Sequence, residues 1–176
     1  MVKGAVIAAI AVVAVVAVAA VAAVVFLLPN EKSAKDLMPD VGSFPDNWTR
    51  DSVTDMTNEV TLDDLSSMAV GIYLSPNSPQ DTLTVTIQVY NSVAAAENNA
   101  YSKSAFAAWS PTDTEYFDNS FTVTNGSGTH YFFQYKSVVG WLHLQTGTLS
   151  SDPANDEWGR ILTDIGGKIE SAGKLV

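Results

Sequence analysis

The 176-residue chain has no cysteine, only two histidines, and nine lysine or arginine side chains against nineteen carboxylates. Each shortage excludes something. Without thiols there is no disulfide, no thiolate nucleophile and no lipid-modified cysteine anchor, although the compartment stays open. The formal charge is −10 overall and about −11 beyond Leu28, which disfavours nucleic acid and anionic lipid as partners of that part. There is no Gly-x-Ser-x-Gly nucleophile elbow; Gly126-Ser127-Gly128 has the wrong spacing. No acidic segment alternates oxygen ligands around a central glycine as a high-affinity calcium loop does.

Residues 5–28 lack polar side chains altogether, reading AVIAAIAVVAVVAVAAVAAVVFLL. As a helix rising about 1.5 Å per residue, this run spans a hydrocarbon core of roughly 30 Å. All-apolar flanks suit lipid because the backbone hydrogen bonds are satisfied within the helix. Three readings compete. An uncleaved signal anchor fits best, because the run exceeds the roughly 7–15 apolar residues of a removable signal. A cleaved secretory signal would use Ala20, Ala22 or Ala23, which lie inside the run. Third, Lys3-Gly4 before a long apolar helix resembles the class III signal of archaeal prepilins, which implies processing at Gly4 and packing of the helix in a filament core. No early carboxylate of the bacterial pilin kind is present. Lys3 favours an inside N-terminus, while Lys32 and Lys35 flank the other end. The short N-terminal tail before an apolar helix favours an extracytoplasmic C-terminal domain. There, Asn47-Trp48-Thr49 and Asn125-Gly126-Ser127 become glycosylation sequons, at Asn47 and Asn125.

Residues 29–46 read as a juxtamembrane stalk, broken by Pro29, Pro39, Gly42 and Pro45. About 148 residues follow Leu28, enough for one domain with a genuine core. An edge strand is predicted over 48–56. A hairpin follows, formed by 69–75 and 82–90 around Ser75-Pro76-Asn77-Ser78-Pro79. Val70, Ile72 and Leu74 alternate with Gly71 and Tyr73, and Leu83, Val85, Ile87 and Val89 with Thr84, Thr86 and Gln88. A helix over 93–109, capped by Asn91 or Ser92, stops at Pro111. Phe121 and Val123 mark another strand before the tight turn 125–128, and 129–136 pairs with 138–146 around Ser137. A terminal helix over 153–172 has Asp152 as its cap and an apolar stripe of Trp158, Ile161, Leu162, Ile165 and Ile169.

Strands, helix, strands, helix imply an α+β fold: a mostly antiparallel sheet of five to six strands with two helices on one face. The element order resembles the PsbP/Mog1-type α/β sandwich. The likeness rests on Leu37-Met38-Pro39, Trp48, the strand 82–90 and Asn91-Ser92-Val93-Ala94-Ala95-Ala96-Glu97, and covers most of 37–172. It implies a fold and brings no site motif.

His130 and His143 fall on opposite faces if Ser137 centres the last hairpin, which argues against a shared metal site. Asp63-Asp64, Asp113/Glu115/Asp118 and Asp152/Asp156/Glu157 read as solvated loops and a helix cap. No cofactor, metal or catalytic residue is predicted; a minor hydrolase or metal-binding domain built on His143 and nearby carboxylates stands as a further alternative. The strongest constellation is aromatic: Tyr73, Thr84, Thr86, Gln88, Tyr131, Tyr135, Trp141 and His143 on a sheet face free of helices. That patch would take a protein, an envelope glycan or a second copy of the chain. Ordinary β-propensity and cross-strand pairing explain the same residues without a ligand.

Overall fold

The computed structural model describes residues 31–45, 47–76, 81–117, 119–145 and 156–175. The apolar run 5–28, Gly4 and the cap Asp152 expected for the terminal helix lie outside them. No helix among the described residues is long and apolar enough to cross a membrane.

Among the described residues, strands β1 (Glu31–Lys32), β2 (Thr49–Asp55), β3 (Leu65–Leu74), β4 (Thr82–Tyr90), β5 (Thr112–Asp113), β6 (Asn119–Asn125), β7 (Gly128–Tyr135), β8 (Val138–Leu144) and β9 (Lys174–Leu175) accompany two α-helices, α1 (Val93–Asn99) and α2 (Glu157–Glu170). Seven of the strands form one antiparallel sheet in the order β2-β3-β4-β8-β7-β6-β5. The expected α+β class holds, with one strand more than predicted. That strand is β5, two exposed residues without an apolar pattern to reveal them. Strands β1 and β9 pair in parallel, joining the start of the described chain to its end.

Helices lie on both faces of the sheet, not on one. On the first face, α2 buries Trp158, Ile161, Leu162, Ile165 and Ile169 with Leu83, Val85, Ile87, Tyr131, Phe133 and Leu142. On the second, α1 and the 3-10 helix Lys103–Trp109 lie over Tyr90, Val139, Phe121 and Phe132, through Ala95, Ala96 and Phe106, with Tyr101 between the two helices. The helix predicted over 93–109 is therefore two pieces. Ser92 caps α1 by accepting from the Ala95 amide at 3.1 Å, and Ala100 turns extended at its end. The break lets Tyr101 drop onto Phe132, with ring centroids 4.7 Å apart. At α2 the cap is Asp156, whose Oδ1 accepts from the Gly159 amide at 2.7 Å.

Residues 31–45 are not a stalk. Ala34, Leu37, Met38 and Phe44 are buried in the main core. Phe44 stacks on Tyr73 at 4.2 Å, and the Tyr73 hydroxyl donates to the Pro39 carbonyl at 2.8 Å. An ion-pair network clamps the same segment: Lys168 reaches Asp40 at 3.1 Å and Asp164 at 3.3 Å, and Arg50 donates to the Pro39 carbonyl at 2.8 Å. Prolines end regular structure, but they do not prevent packing. Apolar residues between them find room because β3 presents Ala69 and Gly71 to that side. A Cβ on Gly71 would stand 3.1 Å from the Met38 sulfur.

Candidate functional site

That accommodation decides which residues of β3 stay accessible. Val53, Gly71 and Val85 share the α2 face, as do Tyr73 and Leu83, so Val70, Ile72 and Leu74 point the other way. They remain half-buried there, outside the area that α1 and the 3-10 helix cover. Beside them run Thr84 and His143, which are direct cross-strand partners, and then His130. The open half of the second face is thus an aliphatic strip leading into two imidazoles.

The eight predicted patch residues divide between the faces. Thr84, Thr86, Gln88, Trp141 and His143 share the second face, and Thr84, Trp141 and His143 keep partial exposure. Thr86 and Gln88 are buried among their neighbours. Tyr73, Tyr131 and Tyr135 belong to the α2 face. Tyr73 is fully buried, with its phenol pushed up to about 12 mainly by burial. Tyr131 stacks on Trp158 at 5.9 Å and hydrogen-bonds Thr114 at 2.8 Å. Tyr135 packs on Phe117 at 5.2 Å. For Tyr131 and Tyr135 the cause is one residue of register. The β7–β8 connection is the two-residue turn Lys136-Ser137, so Tyr135 faces Val138 and Tyr131 faces Leu142. A turn centred on Ser137 alone would have sent each side chain to the other face.

The same shift unites the two histidines, which a hairpin centred on Ser137 would put on opposite faces. His130 and His143 are cross-strand partners whose rings lie 4.3 Å apart and 4° from parallel. Trp141 continues the row, 15° from His143 and 19° from His130, and Phe132 lies 12° from Trp141. These rings stand on the sheet with faces turned to one another. No flat platform for a sugar ring results, which weighs against the glycan reading.

Hydrogen bonds fix the chemistry of this row. The Trp141 indole is a donor only, and it donates to His130 Nδ1 at 3.2 Å. The neutral His130 ring therefore carries its proton on Nε2, which faces Ser127 Oγ at 3.1 Å and Asn125 Oδ1 at 3.4 Å. Ser127 and His130 are spaced like a nucleophile and its base, but this tautomer has no lone pair for the serine proton. The Ser127 hydroxyl instead donates to Asn125 Oδ1 at 2.7 Å. His143 Nε2 donates to the Ser127 carbonyl at 3.0 Å. Burial first, and the neighbouring His143 second, lower the His130 pKa. Sequence reasoning missed this pairing, and the only available signal was the count of residues between His130 and His143.

Of the remaining candidates, Asn47 is exposed at a positive φ of 68°, and Asn125 is held at the hairpin turn through its own side-chain oxygen. No group of three or more His, Asp or Glu side chains among the described residues is arranged to hold a metal ion. Compared with protein-family models, curated proteins and solved structures, the chain finds no match, so its own geometry carries the functional argument.

Proposed function

We propose that the chain is a single-pass membrane protein, anchored through residues 5–28, whose acidic α+β domain lies outside the cytoplasm and binds a protein partner without catalysing a reaction. The observation that carries this is the strip of Val70, Ile72 and Leu74 left half-buried beside Thr84 and His143. Aliphatic residues in such a row reward a flat, dry contact, at roughly 25 cal/mol for each Å² of apolar surface removed from water. The face-to-face aromatic rings favour a protein over a glycan as the occupant. The Ser127–His130 tautomer speaks against a hydrolase built on these residues.

A photo-crosslinking residue at Thr84, introduced into the full chain in its own cells, tests the reading. A discrete protein adduct is expected from position 84 and none from Asn98, which is exposed on α1. Ile72→Asp, made in the Thr84 probe chain, should remove the adduct while the domain stays folded. Absence of any adduct from position 84, or an adduct indifferent to Ile72→Asp, contradicts the proposal.

A second reading, a filament subunit processed at Gly4, is supported by Lys3-Gly4 and the alanine- and valine-rich run. Small side chains let helices approach closely in such an assembly.

A further inference from the structure

A cleft of about 560 Å³ opens on the other face of the sheet, between residues 114–117 and the second half of α2. Its size is that of a small-molecule site. Tyr116, Phe117 and Tyr135 supply aromatic walls, Glu115 and Glu170 supply carboxylates, and Gly166-Gly167 exposes bare helix backbone. Two successive glycines inside a helix each cost roughly 1 kcal/mol relative to alanine. Packing accounts for only one of them. A Cβ on Gly166 would meet the Phe117 ring at 3.3 Å, whereas nothing lies within 4 Å of a Cβ on Gly167. Gly167 lines the cleft, and a Cβ there would meet open space.

We propose that this cleft binds a small organic cation: an ammonium group on an aliphatic stem. Its rim already holds such a group. The Lys136 ammonium lies 2.8 Å from Glu170 Oε2 and 5.7 Å from the centroid of the Tyr135 ring. The Tyr135 hydroxyl donates to the other oxygen of the same carboxylate, which orients it. A carboxylate beside an aromatic face is the arrangement that attracts ammonium ions, through charge and the negative π-face together. Phe117, stacked on Phe133 at 4.6 Å, and Leu162 continue inward and give an alkyl stem an apolar wall. Lys136 is exposed and so is its ion-pair partner Glu170, so an incoming ammonium displaces it at small cost. The surplus of carboxylates over the domain draws cations toward the opening.

The test uses the full chain in detergent micelles, with pentylammonium as probe and pentanol and pentanoate as its neutral and anionic counterparts. Amide resonances of Gly166 and Gly167 report occupancy. Pentylammonium should shift them saturably, and the other two should not. Glu170→Gln should weaken binding about tenfold, equivalent to about 1.4 kcal/mol. Lys136→Met should tighten it by removing the resident competitor, while Lys35→Met, which deletes the same charge from an exposed site on the 3-10 helix Ala34–Leu37, should change nothing. Gly167→Leu, which puts a side chain into open space at the lining of the cleft, should abolish the shift of Gly166. Equal binding of pentanol overturns the proposal, as does equal tightening by the two lysine variants or an unaffected Glu170→Gln variant.

Discussion

His130 sits between the Trp141 indole on one ring nitrogen and the Asn125–Ser127 turn on the other, so a second proton has no vacant place. Its pKa in the folded protein falls below the ordinary value of 6.5, chiefly through burial. The sign of the linkage follows. Below about pH 6.5 the unfolded chain takes up a proton that the folded chain resists, so stability is full at neutral pH and declines as the solution is acidified. Asp36, Asp55 and Glu170 have pKa values lowered by hydrogen bonds from Ser33, Thr57 and Lys136 respectively. Their contribution disappears only in the more acidic carboxylate range, so the two windows separate. Urea titrations at pH 7.5 and 5.5 should give a lower midpoint at 5.5 for the native chain. His130→Gln, which keeps an acceptor for Trp141, should show most of that difference gone. An equal pH response in both proteins would remove His130 as its source.

At the scale of elements, the hairpin β7–β8 shows where sequence and structure part. Both strands were legible, because Tyr131, Phe132, Phe133 and Tyr135, then Val138, Val139 and Trp141, are the aromatic and β-branched residues that strands favour. The register was not. Lys136 takes a positive φ of 51° in the turn, and neither Lys136 nor Ser137 is the asparagine or glycine that announces a two-residue connection. Strand β3 departs from its sequence pattern for a different reason. Its aliphatic residues looked like the inward set, but Ala69 and Gly71 face the core because Met38 and Phe44 fill the space above them. Such long-range filling has no local signature. The eight patch residues were divided between faces by these two effects, and the cleft against α2 went unforeseen because residues 114–117 carry no periodicity.

The β7–β8 register makes a sharp demand at Gly140, which pairs with Phe133. A Cβ there would stand 2.0 Å from Cε1 and 2.2 Å from Cζ of the Phe133 ring. That ring is held in turn by Phe117 and cannot swing freely. Gly140→Ala should therefore destabilise the protein by about 1–3 kcal/mol, the usual cost of overpacking a core. Gly167→Ala should be neutral or stabilising by up to about 1 kcal/mol, since the helix gains and nothing clashes. Urea unfolding of the two variants measures the contrast, and equal effects would show the pairing to be wrong.

Over the whole molecule, the acidic domain uses both faces of its sheet in different ways. One carries the main core beneath α2, with the cleft at its margin; the other is half covered by α1 and the 3-10 helix and half open. The fold class was readable because strand and helix periodicities dominate composition. The distribution of helices was not, since amphipathic helices do not state which face they cover. Residues of the segment 31–45 belong to the packed core, which their prolines and lack of periodicity concealed.

Everything proposed for the open face presumes a protein held at a membrane, and fractionation tests that most directly. Membranes from cells making the full chain are washed in alkaline carbonate, and the N-terminus of the retained protein is read by mass spectrometry. Retention in the pellet with residues 5–28 present and the start at Met1 or Val2 is the predicted result, whereas a start beside Gly4 identifies the filament subunit instead. Release of the intact chain into the aqueous wash would contradict the anchor.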